Sequence, residues 1–181
     1  MHHIDAFRIA CSSPGDTSGL ETLLTSGALR AEDIIAIMGK TEGNGCVNDF
    51  TREYATHALA TCLSGWLQCA PAEVAQRVAF VMSGGTEGVL SPHITVFTRR
   101  PAQVLQPTQG KRLSIGIAFT RDFAPEDMGR MAQVEATQAA VLEAMQDAGI
   151  TSTEDLHFVQ VKCPLLTSTK IAQAQARAAS V

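Results

Sequence analysis

The chain has 181 residues, of which 45% are apolar and 18% are charged, and its net charge at pH 7 is −4. This composition is typical of a globular protein and not of a disordered one, and the acidic balance argues against nucleic acid as a partner. No apolar run approaches the ~20 residues of a membrane-spanning helix, and no signal peptide is visible. The five cysteines form no C-x-x-C pair, which disfavours zinc and favours a reduced chain. We therefore predict a cytoplasmic protein with no membrane or nucleic-acid partner.

The N-terminal part of the chain alternates between strand-like and helix-like patterns. Buried-type or alternating apolar runs predict strands at 4–11, 33–38, 78–82 and 93–98. Helix start signals and apolar residues spaced three and four apart predict helices at 18–26, at 52–66 and from Pro71. The strand at 78–82 ends at Ser83, Gly84 and Gly85. Paired glycines at that point indicate unusual backbone angles or a close approach of the backbone to another group.

The C-terminal part begins after a segment at 99–110 that has two prolines and no periodicity, which is typical of a linker. Beyond it we predict a strand at 111–119 and a long helix at 125–146, with Pro125 in its first turn and Gly149 just past its end. A strand at 155–161 and a final helix at 167–179 follow.

The two parts are related by an internal repeat. The stretch "AEDIIAIMGKT" at 31–41 aligns with "TEDLHFVQVKC" at 153–163, so that Lys40 corresponds to Lys162. The fold class predicted is α/β, with one complete repeat at 1–104 and an incomplete second repeat at 105–181. In the first repeat the pattern continues to the Ser-Gly-Gly segment, which has no counterpart in the second repeat.

Lys40 and Ser83 are candidate catalytic residues because each follows or ends a predicted buried strand. If those strands are neighbours, the two side chains would meet as a Ser-Lys pair, a known arrangement for acyl chemistry. The N–H groups of Gly84 and Gly85 would then bind a carbonyl oxygen. The alternative is a solvated loop lysine and an ordinary strand-ending serine. The lysine at the matching place in the second repeat, Lys162, favours the functional interpretation.

Arg52 is a candidate ligand-binding residue because it opens a helix, where the helix dipole disfavours a cation. A guanidinium can hold an oxygen-rich ligand through paired hydrogen bonds; the alternative is an ion pair with Asp49 or Glu53 on the surface. His93 is a weaker candidate for lining the same site. A metal site is not expected, because Glu42 and Glu87 lack a second carboxylate at ligand spacing.

Five stretches resemble the cyanuric acid amidohydrolase/barbiturase family, and more closely its cyanuric acid branch. They are "SPGDTSGLE", "MGKTEGNGCVNDFTREYA", "VAFVMSGGTEGVLSPH", "GIAFTRDF" and "LHFVQVKCPLLT". The resemblance implies three α/β repeats around a pseudo-threefold axis, with a small cyclic imide or triazine bound on that axis. It also implies a chain about twice this length, with a metal site in a third repeat outside these residues, so no cofactor is expected in this segment.

The resemblance also implies roles for individual residues. Lys40, Arg52, Ser83 and Gly84 match the first repeat's set, in which Arg52, Ser83 and Gly84 bind substrate and Lys40 and Ser83 form a dyad. Lys162 matches the second repeat's lysine, the base for a nucleophilic serine of that repeat. The implied reaction is hydrolytic opening of cyanuric acid to carboxybiuret and then biuret, in s-triazine degradation. Barbiturase activity and a non-catalytic binding or assembly subunit remain alternatives, and we expect either homo-oligomerisation or a need for the C-terminal portion.

Overall fold

The computed structural model describes residues 2–85, 90–101, 112–177 and 179–180. The chain divides into two compact units, Met1–Leu113 and Ser114–Val181. The predicted boundary between residues 104 and 105 lies outside the described residues, as does most of the predicted linker at 99–110. Within the described part of the chain, no helix has the length and apolar character needed to cross a membrane.

The first unit is a four-stranded mixed sheet with three helices, which confirms the α/β fold class. Strand β4 is antiparallel to both of its neighbours β1 and β2, and β2 is parallel to β3, so that the strand order is β1-β4-β2-β3. The elements in chain order are β1 (His2–Ala10), α1 (Ser18–Thr25), β2 (Ile34–Thr41), α2 (Thr51–Leu67), α3 (Pro71–Arg77), β3 (Ala79–Gly84) and β4 (His93–Pro101). Every strand and helix predicted before residue 99 is confirmed, with shifted ends.

The core of this unit lies between one face of the sheet and the three helices. From Ile94 to Thr98 of β4 every second residue is buried, which is the period of a strand with one covered face. Helix α2 directs an apolar stripe at the sheet because its apolar residues recur every three or four positions. One cluster joins all three helices to β2, β3 and β4, and it includes Leu20, Leu59, Leu63, Val74, Ile37, Phe80 and Val96.

The second unit contains α4 (Met131–Ala148) and α5 (Ser168–Ala176). The predicted helix at 125–146 is wrong at its start. Residues Pro125–Asp127 form a separate 3₁₀ helix, and Gly129 then adopts a φ of +73°, which interrupts a right-handed helix before α4 begins. Its predicted end is confirmed, because Gly149 caps α4 with a φ of +71°.

The strands predicted at 111–119 and 155–161 are not formed by the described residues 112–119 and 155–161. The topology of the first unit explains this difference. There β1 and β2 do not pair with each other, because β4 lies between them and hydrogen-bonds to both. A strand exists only through hydrogen bonds to a neighbour, and the described residues of the second unit include no counterpart of β4.

The predicted repeat is visible locally. The first unit has a 3₁₀ helix at Ala31–Asp33 just before β2, and the second has one at Thr153–Asp155, at the aligned position. The two segments therefore share the turn that precedes the strand or strand-like run, and they differ in whether a neighbouring strand is present to pair with that run.

Candidate active site

The ends of three neighbouring strands bring the predicted site residues together. In the register of the sheet, Lys40 of β2 is opposite Ser83 of β3 on one side and opposite His93 of β4 on the other. Ile37, which is in the core, is three positions before Lys40, and side chains alternate between the two faces of a strand. The row formed by Lys40, Ser83 and His93 therefore faces away from the helices.

Lys40 and Ser83 are in direct contact, as predicted if their strands were neighbours. The Lys40 Nζ lies 3.2 Å from the Ser83 Oγ and donates a hydrogen bond of 2.9 Å to the carbonyl oxygen of Gly84. One detail of the prediction is wrong: Lys40 lies within β2 and not in the loop after it, since β2 continues to Thr41. The ladder of β2 and β3 therefore holds the two side chains on adjacent backbones.

Arg52 lies in the first turn of α2 and is held by the preceding loop. Its Nη2 donates to the carbonyl oxygen of Cys46, and its Nε lies 3.9 Å from the Oδ2 of Asp49. The sequence left open whether Arg52 binds ligand or pairs with Asp49 or Glu53, and the structure shows the pairing with Asp49. The pair is not a simple surface contact, because the Asp49 side chain is only 1% exposed whereas that of Arg52 is 35% exposed.

From the sequence, Asp49 was considered only as an ion-pair partner of Arg52, whereas the structure gives its carboxylate several further contacts. Its carboxylate accepts hydrogen bonds from the backbone N–H of Gly45 at 2.9 Å, from that of Thr51 at 3.0 Å and from the Thr51 hydroxyl. The Thr51 hydroxyl and then these backbone bonds lower the pKa of Asp49, although burial acts in the opposite direction. The sequence does carry a signal for this role of Asp49: an aspartate two residues before a threonine at a helix start is typical of an Asx turn.

Asp49 also accounts for the glycine at position 84. A Cβ on Gly84 or on Gly43 would overlap the Asp49 carboxylate, so a side chain is excluded at both positions. Gly85 is required for a different reason, because its φ of +84° lies in the left-handed region. The close approach that the glycines predicted is thus made within the protein, to a buried carboxylate, and it does not depend on a bound ring.

We expect Gly84→Ala to lower the free energy of unfolding by about 1–3 kcal/mol, the usual cost of overpacking. The added methyl group would displace the Asp49 carboxylate from its hydrogen bonds. Gly65→Ala is the matched control, because an added Cβ in α2 would meet no atom within 4 Å apart from its chain neighbours and the backbone of its own helix. This variant should gain up to about 1 kcal/mol from higher helix propensity. Urea denaturation measures both, and equal effects would contradict the assignment.

Lys162 lies in the second unit, in a segment without helix or strand after the 3₁₀ helix at Thr153–Asp155, and it is exposed. Among the described residues, 2–85, 90–101, 112–177 and 179–180, no residue forms a hydrogen bond with the Nζ of Lys162. Of the two glutamates considered as ligands, Glu87 lies outside the described residues. Among the described residues, no three His, Cys, Asp or Glu side chains are grouped so as to hold a metal ion.

A family model described as "Amidohydrolase ring-opening protein" matches residues 5–181. The chain belongs to this family. The match covers both units, so it includes the Lys40–Ser83 contact of the first unit as well as Lys162 of the second. The resemblance inferred from the five sequence stretches is confirmed.

Named members of this ring-opening amidohydrolase family are closely similar to the chain. It is 67% identical to the cyanuric acid amidohydrolase of Pseudomonas sp. (strain ADP) over 98% of its own length and 49% of that protein. It is 60% identical to the cyanuric acid amidohydrolase of Bradyrhizobium diazoefficiens over 96% of its length and 47% of that protein. A solved structure of a cyanuric acid hydrolase, described as an evolutionary innovation by structural concatenation, superposes with a TM-score of 0.96 at 66% identity, covering 99% of this chain and 50% of the other.

The chain spans about half the length of the curated relatives it matches. This proportion agrees with the chain of about twice this length that the family resemblance implied.

Proposed function

We propose that the chain contributes to the hydrolytic ring opening of cyanuric acid. The observation that carries this proposal is the contact of 3.2 Å between Lys40 Nζ and Ser83 Oγ on adjacent strand ends. A lysine amine beside a serine hydroxyl is suited to acyl chemistry because the neutral amine can take the hydroxyl proton. We take the Lys40–Ser83 pair as the first repeat's copy of the Ser-Lys arrangement to which the chemistry is assigned in the second repeat. The names of the relatives at 67% and 60% identity support cyanuric acid over barbituric acid as the substrate.

The proposed reaction uses one serine and one lysine at a time. The serine oxygen attacks a ring carbonyl carbon while its proton passes to the lysine nitrogen, and the C–N bond of the ring then opens as the departing nitrogen takes that proton. Water hydrolyses the resulting acyl-enzyme and restores the serine, which releases carboxybiuret; loss of carbon dioxide from this product gives biuret. We assign the base for the attacking serine to Lys162, by its match to the second repeat of the family.

The first unit contributes substrate placement in this proposal. Cyanuric acid is a flat ring in which three carbonyl groups alternate with three N–H groups, so each carbonyl needs a set of hydrogen-bond donors. Ser83, the N–H groups of Gly84 and Gly85, and the guanidinium of Arg52 are the donors that we assign to one carbonyl. In this proposal the contact with Lys40 Nζ controls the placement and protonation of the Ser83 hydroxyl. The Lys40 Nζ is itself held by its hydrogen bond to the Gly84 carbonyl oxygen.

Three further features belong to this proposal. We place the protein in the cytoplasm. We also place it in s-triazine degradation, because cyanuric acid is an s-triazine. We assign no cofactor to this segment. The test of the whole proposal is the formation of biuret from cyanuric acid, with barbituric acid as the competing substrate. Turnover of barbituric acid but not of cyanuric acid would favour barbiturase. Binding of the ring without turnover in a complete assembly would favour a non-catalytic subunit.

We also propose that the chain associates, either with copies of itself or with a C-terminal portion like that of its relatives. In the second unit Phe158, Val159 and Val161 are 70%, 46% and 44% exposed, in a segment that forms no strand pairing within the described residues. Exposed apolar side chains on an unpaired strand-like segment promote association.

We therefore expect light scattering to show self-association of the purified chain at micromolar concentration. The double variant Phe158→Ser/Val161→Ser should shift the population towards monomer, because it removes apolar surface from the same segment. His157→Ser changes a neighbouring residue without removing such surface and is the control. A monodisperse monomer of the unmodified chain would contradict the expectation.

A further inference from the structure

The two oxygens of the Asp49 carboxylate contact different parts of the site. Oδ1 accepts hydrogen bonds from the N–H and the hydroxyl of Thr51, which begins α2. Oδ2 accepts a hydrogen bond of 2.9 Å from the N–H of Gly45 and lies 3.9 Å from the Nε of Arg52. The first oxygen thus stabilises the start of the helix, and the second stabilises the loop and faces the guanidinium.

The same Oδ2 also lies against the end of β3. It occupies the space that a Cβ of Gly84 would fill, and the carbonyl oxygen of Gly84 accepts the hydrogen bond from Lys40 Nζ. One buried oxygen is therefore in contact with the loop at Gly45, with the backbone beside Ser83, and, at 3.9 Å, with the cation of Arg52. A displacement of this carboxylate would move the proposed substrate-binding cation and the Ser83–Gly84 step relative to each other.

Threonine hydroxyl groups connect the carboxylate to the other strand of the pair. The hydroxyl oxygens of Thr51 and Thr41 lie 2.9 Å apart, and Thr41 follows Lys40 in β2. The Thr41 hydroxyl also lies 3.4 Å from the carbonyl oxygen of Ser83. Asp49 is thus linked, directly or through one hydroxyl, to the ends of both strands that carry the lysine and the serine.

We infer that Asp49 is a positioning residue of the proposed amidohydrolase site, where its buried carboxylate sets the guanidinium of Arg52 against the Ser83–Gly84 end of β3. This inference rests on the proposed function for its effect on turnover, and on the geometry alone for its effect on Arg52. Asp49 is not assigned any contact with the substrate.

Asp49→Asn separates this role from a purely structural one. The side-chain amide is similar in shape to the carboxylate, and its oxygen at the Oδ1 position keeps both bonds to Thr51. Its NH₂ group at the Oδ2 position then faces two further donors, the N–H of Gly45 and the Nε–H of Arg52, so those two interactions are lost. Glu53→Gln is the matched control, because it removes the same charge from the residue next to Arg52, and among the described residues Glu53 forms no hydrogen bond or ion pair with that guanidinium.

The first readout is the proton–nitrogen NMR signal of the Arg52 Nε–H group in the full 181-residue chain, assigned by its loss in Arg52→Lys. We expect this signal to shift in Asp49→Asn and to stay in place in Glu53→Gln. An unchanged signal in Asp49→Asn, or an equal shift in Glu53→Gln, would overturn the inference. If Asp49→Asn does not fold, Arg52→Gln tests the same contact from the other side: the amide signals of Gly45 and Gly84 should shift, and their constancy would overturn it.

The second readout is steady-state kinetics in an assembly that hydrolyses cyanuric acid. We expect Asp49→Asn to lower kcat/KM at least about tenfold, mainly through a higher KM, because a displaced Arg52 binds the ring less well in the ground state and the transition state alike. Glu53→Gln should stay within about twofold. A loss of kcat at unchanged KM would overturn the assignment to Arg52 positioning. If no assembly turns over cyanuric acid, the proposed function fails while the Arg52 signal still decides the positioning.

Discussion

A polypeptide of these 181 residues alone is expected to form no biuret from cyanuric acid, and adding the C-terminal portion of a full-length relative is expected to produce turnover. In our proposal the first unit supplies one complete set of ring-binding groups, Lys40, Arg52 and Ser83, and the second supplies Lys162 without a serine assigned to it. A ring held at one carbonyl is poorly oriented, and orientation is worth up to about 7–11 kcal/mol of an activation barrier.

The measurement is chromatographic detection of biuret after the chain is incubated with cyanuric acid, alone and with a separately expressed C-terminal portion of the Pseudomonas sp. relative. Ser83→Ala in the mixture is the control for a contribution of the first unit, and it should reduce turnover. Biuret formation by the unmodified chain alone would contradict the prediction and favour a site assembled from several copies.

Lys162→Ala is expected to have the largest effect among single substitutions in a hydrolytically active assembly. We assign Lys162 as the general base, and removal of such a base typically costs about 10²- to 10⁴-fold in rate. Lys40→Ala should cost less, because Lys40 acts through the placement and protonation of Ser83, at 3.2 Å from its hydroxyl.

The comparison is made by measuring kcat for both variants beside Lys170→Ala, which removes a lysine from α5 and should leave kcat near that of the assembly with the unmodified chain. Equal losses in Lys162→Ala and Lys40→Ala would show that the roles are not divided as proposed. Full activity of Lys162→Ala would exclude Lys162 as the base and assign the chemistry to the Lys40–Ser83 pair.

The positions of Lys40 and Ser83 at strand ends could be predicted because they depend on local information, whereas their contact was predicted only on the condition that the two strands are neighbours. Each residue lies at the end of an apolar run that is long enough to be a strand, and parallel neighbours end at the same edge of a sheet. The amphipathic pattern of α2 and the glycine cap of α4 were likewise visible, since a helix buries residues spaced three and four apart and glycine tolerates a positive φ.

Pairing between strands is not local, and there the sequence-based predictions failed. The runs at 111–119 and 155–161 have the apolar character of strands, yet the described residues of these runs form none. In the first unit the corresponding strands are separated by β4, so neither would complete a sheet with the other. Composition along a segment indicates that it can form a strand, whereas the presence of a hydrogen-bonding neighbour decides whether it does.

The sequence by itself determined the fold class, the family and most of the residues of the proposed site, because apolar periodicity and characteristic stretches are properties of the chain. Only the tertiary structure decided the place of Asp49. Its carboxylate joins Gly45, Thr51, Arg52 and Gly84 across a loop, a helix start and a strand end. Hydrogen bonds and excluded volume between segments distant in the chain leave no periodic pattern, so Gly84 signalled a close approach without revealing that a buried carboxylate makes it.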